Sequence, residues 1–267
     1  IRLKPGSCQI INLVIKHIMK STSGFYFENK TMNTSKIAVL IILLFQSYLS
    51  MASHKVYVIH GFGGFALQME KINRGLIQQG YLTENYSYPS FSEDLDSVGL
   101  DLFRKIKQDN FDSVSFVTHS MGALVVRSMY QYLDSTIHFP VIFRIVMVAP
   151  PNKGTEMADI YSGSLTKFFL GPNVEHMKTD STSYANKLPV PACEVGVIAG
   201  IKGKKPWFNP FLKEDNDGNV SLSLTTLGNE KDIAIIKATH GLMTQKKKVI
   251  KLIITFMKTG SFMKPEN

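Results

Sequence analysis

In Val117-Thr118-His119-Ser120-Met121-Gly122 a single serine stands between an apolar run and a helical one. That order reads as strand, sharp turn and helix, with Ser120 at the apex and its Oγ lifted out of the end of a sheet. The same turn aims the backbone N–H of Met121 at the place where an oxyanion would form. Gly122 supplies the small residue required where strand and helix pass close together. A serine hydroxyl is a weak nucleophile at neutral pH and needs a base in contact. His240, in Thr239-His240-Gly241 after an apolar run, is the candidate base. Asp217, with Asp215 two residues before it, offers a carboxylate to fix the imidazole tautomer. Upstream, Lys55–Ile59 reads as a buried strand running into His60-Gly61-Phe62-Gly63-Gly64. A glycine-rich bend after a strand leaves its N–H groups free, and Phe62 is placed to be the second oxyanion donor. The chemistry these residues could do together is acyl transfer through a covalent acyl-enzyme.

The order Ser120, Asp217, His240 differs from that of chymotrypsin and of subtilisin and is the order of an α/β-hydrolase triad. His60-Gly61-Phe62-Gly63-Gly64, Thr118-His119-Ser120-Met121-Gly122, Asp217-Gly218-Asn219-Val220 and His240 together resemble the motifs of α/β-hydrolases of the bacterial secreted lipase and esterase kind. The resemblance runs from about Lys55 to about Gly260, and Ala149-Pro150-Pro151-Asn152-Lys153-Gly154-Thr155 is similar to the segment that opens the lid region in many lipases. It implies an α/β fold with a mostly parallel central sheet, helices on both faces and a cap or lid insertion. It also implies hydrolysis of carboxylic esters of lipid-like kind by Ser120, Asp217 and His240, without cofactor or metal. Asp217 is preferred to Asp215 because Asp-Gly-x-Val matches the family. Phe62 and Met121 would form the oxyanion hole, supported by His60 and Gly61. Thr118 is a departure, standing where G-x-S-x-G has its first glycine. Two other classes share these motifs: an acyltransferase or thioesterase on the same triad, and a non-catalytic hydrolase fold that binds lipid or a partner.

Other titratable residues read blandly. His119 is expected to point away from the nucleophile and be satisfied by backbone, and His54, His138 and His176 to lie on the surface. Asp232 reads as a surface residue at a strand start. Cys193 reads as a small buried apolar residue. With Cys8 in the N-terminal piece, it has no partner for an intramolecular disulfide. Asp215-Asn216-Asp217 lacks a glutamate at the twelfth position of a calcium loop.

The 267 residues allow one large domain. Met32-Asn33-Thr34-Ser35-Lys36, the apolar run Ile37–Phe45 and Ser50-Met51-Ala52 form a secretory signal pattern, with cleavage after Ala52. The apolar run is nine residues, short of the roughly 20 that span a bilayer. An uncleaved membrane anchor is the alternative to export. Residues 1–31 read as an upstream extension without fold, 32–52 as the signal and 53–267 as the hydrolase domain. The net charge of +9 falls to +4 once residues 1–52 are set aside, with 24 basic and 20 acidic residues remaining. That balance, without a basic patch interleaved with aromatics, excludes nucleic acid as a partner. Lys246-Lys247-Lys248 and Lys251 read as the solvated face of the last helix, with attraction to anionic lipid the alternative. The expected partner is a small-molecule ester or lipid, with transient contact at a lipid interface.

Strands and helices alternate along the rest, which predicts a parallel sheet built from βα units. Helices are expected over about Ala66–Gln79, from a Ser92 cap to Asn110, Gly122–Leu133 and Val249–Met257. Strands are expected over Tyr81–Tyr86, Ser113–Thr118, Val141–Val148, Glu194–Ala199 and Ile233–Ala238. Periodicity fails from Thr155 to Ala192, the place of a mobile cap, where Ile160-Tyr161 and Phe168-Phe169-Leu170 are candidates to line an acyl pocket. Trp207-Phe208-Asn209-Pro210-Phe211 reads as an aromatic loop packed beside the site.

Overall fold

The computed structural model describes residues 53–161, 171–202, 209, 211–212 and 214–263. The expectations placed on residues 1–52, on Phe168-Phe169-Leu170 and on Trp207, Phe208 and Pro210 lie outside the described residues. Six strands, β1 (His54–Ile59), β2 (Leu82–Tyr86), β3 (Ser113–His119), β4 (Val141–Val148), β5 (Glu194–Ile201) and β6 (Asp232–Lys237), make one sheet in the order β2-β1-β3-β4-β5-β6. All five pairings are parallel. Its four inner strands are near-continuous Val, Ile and aromatic runs because both of their faces are covered. Tyr57, Ile59, Phe116, Met147 and Val197 point to one face; Val56, Val58, Val117, Val146 and Ile198 point to the other.

Helices α1 (Ala66–Ile77), α2 (Leu95–Asp109) and α3 (Gly122–Met129) follow the first three strands. The stripe Leu95, Val98, Leu102 and Ile106 packs α2 on the first face together with α3. Met69, Ile72 and Leu76 of α1 pack on the second. At this face α1 is joined by the closing helix (Lys247–Thr259), which starts two residues earlier and ends two later than expected, where Gly260 turns the chain at φ 73°. Among the described residues, three short helices, α4 (Glu156–Tyr161), α5 (Asn173–His176) and α6 (Tyr184–Lys187), lie in the segment between β4 and β5, and the closing helix becomes α7. No helix among the described residues is long and apolar enough to cross a membrane.

Several local expectations are corrected. Ser92 does not cap α2; its N–H closes a turn onto Pro89, and Asp94 is the cap, accepting from the Asp96 N–H. Aspartate caps as well as serine, and Asp94 has the extended backbone of a cap directly before the first buried residue of the helix, Leu95. Helix α3 ends at Met129 and tightens into a 3-10 turn over Tyr130–Tyr132 rather than running to Leu133. His54 and His176 are not free surface groups: His54 Nδ1 lies 2.8 Å from Ser113 Oγ, and His176 Nε2 lies 3.1 Å from Asp94 Oδ2. Asp232 is also partly buried, accepting from Ser261 Oγ and the Phe262 N–H. Cys193 is half-buried, 3.4 Å from the Tyr130 hydroxyl.

Candidate active site

Strand β3 delivers Ser120 at φ 52°, a left-handed backbone conformation that a side chain with Cβ adopts only at a cost of about 1–3 kcal/mol. The surroundings enforce it. The Ser120 N–H donates to the Val148 carbonyl, and a Cβ on Gly122 would sit 2.6 Å from the His60 carbonyl oxygen. Thr118 is fully buried two residues earlier, and its Oγ1 has no hydrogen-bond partner. Its place inside the paired part of β3, between Ile59 and Met147, accommodates a side chain where the motif has glycine.

The loop after β5 carries Asp217 and the loop after β6 carries His240, 23 residues apart in sequence. His240 Nδ1 lies 2.7 Å from Asp217 Oδ2 and its Nε2 lies 2.9 Å from Ser120 Oγ. One neutral tautomer satisfies both contacts: Nδ1–H donates to the carboxylate, and Nε2 accepts from the serine hydroxyl. Asp217 is 1% exposed, and its second oxygen accepts from the N–H groups of Asn219 and Val220. The backbone holds the same pair, since the His240 N–H donates to the Asp217 carbonyl. Asp215 takes no part in these contacts; its carbonyl accepts from the Leu222 N–H.

The glycine-rich loop after β1 closes the other side. Gly61 abuts the nucleophile, and among the described residues neither the Phe62 nor the Met121 N–H has an acceptor. His60 is fully buried. Its Nδ1–H donates to the Gly61 carbonyl, its Nε2 accepts from the Tyr88 N–H, and its ring stacks on Tyr88 at 4.4 Å. Burial holds its pKa below the usual histidine value, an effect partly offset by the Gly61 bond. His119 donates from Nε2 to the His240 carbonyl at 3.2 Å, so it is satisfied by backbone on one side, while its Nδ1 has no partner. Burial, reinforced by His240, pushes its pKa down to about 3, which keeps it neutral.

A cavity of about 450 Å³ opens over Ser120 and His240, within the usual range for a small-molecule site. Phe62, Pro151, Met157, Ala158, Tyr161, Val174, Met177 and Val220 give it apolar walls, and Gln68, Thr155 and Asn219 add polar ones. Of the sequence candidates for this wall Tyr161 lines it, whereas Ile160 is exposed outside it. Gln68, Met157, Val174 and Met177 carried no motif signal, because each lies on a helix turn whose cavity-facing side is decided by tertiary packing. Asn209, in the middle of the expected aromatic loop, donates to the Gly218 carbonyl, next in sequence to Asp217. Among the described residues no group of three or more His, Cys, Asp or Glu side chains is placed to hold a metal ion.

Residues 60–164, which include the glycine-rich loop after β1 and the Ser120 turn, match a family model described as a domain of unknown function (DUF7379). No curated protein matches the chain by sequence. Solved structures do match. The mature form of the Bacillus licheniformis lipase BlEst2 is 18% identical, covering 78% of this chain and 92% of that one, with a TM-score of 0.56. The product of the gene lin2722 from Listeria innocua is 16% identical, covering 80% and 96%, with a TM-score of 0.52. The metagenomic carboxyl esterase MGS0156 is 18% identical, covering 72% and 65%, with a TM-score of 0.53. The fold is that of an α/β-hydrolase. In that frame Ser120, Asp217 and His240 all sit where strands end at the carboxyl edge of the sheet, the edge at which open α/β sheets place their ligands.

Proposed function

We propose that this α/β-hydrolase fold is a serine hydrolase that cleaves carboxylic esters with apolar acyl groups. The observation that carries the reading is the continuous relay from Asp217 Oδ2 through both ring nitrogens of His240 to Ser120 Oγ, with two unused N–H groups beside it. His240 takes the serine proton as Ser120 attacks the ester carbonyl, while Asp217 stabilises the resulting imidazolium. The Phe62 and Met121 N–H groups hold the oxyanion; losing one such donor raises the barrier by about 2.7–4 kcal/mol. His240 then protonates the departing alcohol, and water, activated by the same histidine, releases the acid from the acyl-enzyme.

Apolar lining favours an acyl chain over a polar one, and the rim favours a lipid-like substrate. Leu67, Leu242 and Tyr161 are all exposed, the first two next in sequence to the lining residues Gln68 and Gly241 and the third itself part of the wall. Export through residues 32–52 and capping of the cavity by the segment 155–192 belong to the same reading. The test is hydrolysis of p-nitrophenyl esters from acetate to palmitate by the full chain and its Ser120→Ala variant. Turnover that depends on Ser120 is expected, with an optimum beyond acetate. Turnover that survives in a folded Ser120→Ala protein overturns the mechanism.

A further inference from the structure

Every residue of α3 from Gly122 to Met129 is buried, and one of them is an arginine. Arg127 is 2% exposed and has no carboxylate partner within ion-pair distance among the described residues. A guanidinium enters an apolar interior only where its donors are met. Here they are met by three backbone carbonyls: Nε donates to Pro189 at 3.0 Å, Nη1 to Asn152 at 2.7 Å and Nη2 to Leu188 at 2.7 Å. These carbonyls are the two stems of the segment that leaves β4 and returns to β5. Asn152 is itself fully buried between Pro151 and the Lys153–Thr155 turn, and its side chain donates to the Thr225 carbonyl beside the acid loop. Thr155 donates to the Asn219 carbonyl in that loop, and Ser221 donates to Glu156. The turn that holds Ser120 therefore leads directly into the helix that carries, seven residues on, the group to which both stems are fastened.

We propose that Arg127 is a positioning residue for the substrate cavity, fixing both stems of the 152–189 segment to the nucleophile's helix so that the wall built from Pro151, Thr155, Met157 and Met177 keeps its distance from Ser120. A planar fork offers donors from three separated nitrogens in fixed directions, whereas the three donors of an ammonium diverge from one atom and cannot match carbonyls placed for the fork. The kinetic arm of the test rests on the ester-hydrolase reading; the exchange arm does not.

The test compares the full chain with its Arg127→Met and Arg127→Lys variants by amide hydrogen exchange over 150–158 and 186–192, and by kcat and KM for p-nitrophenyl acetate and decanoate. For Arg127→Met the exchange at both stems rises at least tenfold while β3 and β4 keep their protection. Its kcat/KM for decanoate falls at least tenfold further than that for acetate, the difference lying in KM, and Arg127→Lys falls between Arg127→Met and the wild type. Unchanged stem exchange, or equal losses on both esters, overturns the proposal. Should Arg127→Met fail to fold, Arg127→Lys carries the same test, and wild-type stem exchange in it overturns the proposal. A wild-type protein without ester turnover removes the hydrolase reading and leaves the stem exchange to decide Arg127 alone.

Discussion

A Cβ on Gly61 would lie 2.7 Å from the Cβ of Ser120 and 3.3 Å from its Oγ. Neither side can yield, because Ser120 is held in a left-handed turn and Gly61 also approaches the His119 carbonyl. Gly61→Ala is expected to displace the loop that carries the Phe62 N–H. Ester turnover should fall about 10²–10³-fold, the usual loss of one oxyanion donor, with destabilisation of about 1–3 kcal/mol from overpacking. Steady-state kinetics beside urea unfolding separate the two. Full activity in the variant contradicts the assignment of Phe62.

Asp217→Asn tests the tautomer rather than the packing. The retained amide oxygen can keep the Asn219 and Val220 N–H groups, which turns the amide NH2 toward His240 Nδ1. The imidazole must then carry its proton on Nε2 and cannot accept from Ser120. A fall in kcat of about 10⁴-fold is expected with little change in KM, as for the equivalent change in a serine protease triad. Asp215→Asn, whose side chain is outside the relay, should stay within about threefold of wild type.

The buried imidazole of His119 makes stability depend on pH. Its folded pKa, about 3, lies below its ordinary value of 6.5, so the unfolded chain binds the extra proton between those limits. Stability from this group is complete above pH 6.5 and is lost as pH falls toward 3, by about 1.4 kcal/mol per pH unit at the steepest. His60, also lowered by burial, acts in the same direction. His119→Gln keeps a donor for the His240 carbonyl but does not titrate. Its unfolding free energy between pH 6 and pH 4 should fall less steeply than that of the wild type; equal slopes would show that His119 is protonated in the fold.

At the cavity mouth, Leu67 and Leu242 are 70% and 60% exposed. Their test is to place charge there, as Leu67→Asp with Leu242→Asp. Turnover of a dissolved butyrate ester should stay within about twofold, while turnover of long-chain ester in phospholipid vesicles should fall at least tenfold. Equal effects on the two substrates would rule out a lipid-facing rim.

The candidate site residues that the structure brings together were legible because each sits in a local pattern that dictates its own backbone: Ser120 in a turn flanked by Gly122, Phe62 in a glycine-rich bend, His240 just past a strand. The strands were legible because a doubly covered parallel sheet demands unbroken apolar runs, and Val141–Val148 has the expected bounds. The sheet order was not, since Val56 and Val146 give no sign of which strand each will pair with. Arg127 left one trace, a charge inside Ala-Leu-Val-Val-Arg-Ser-Met, but its three carbonyl partners lie 25 to 62 residues away. The cap of α2 was misplaced because Ser92 and Asp94 are equally good caps by type, and the choice is made by Asn173, whose side chain receives the Leu95 N–H from 78 residues downstream.

His240 follows Ser120 by 120 residues. At about 5–20 residues per second of synthesis, the nucleophile is made about 6–24 s before the base that would activate it. During that interval the nascent chain carries an inert alcohol. Under the proposed mechanism the capacity to attack esters arises only when the β6 loop docks, so no hydrolytic activity precedes completion of the fold.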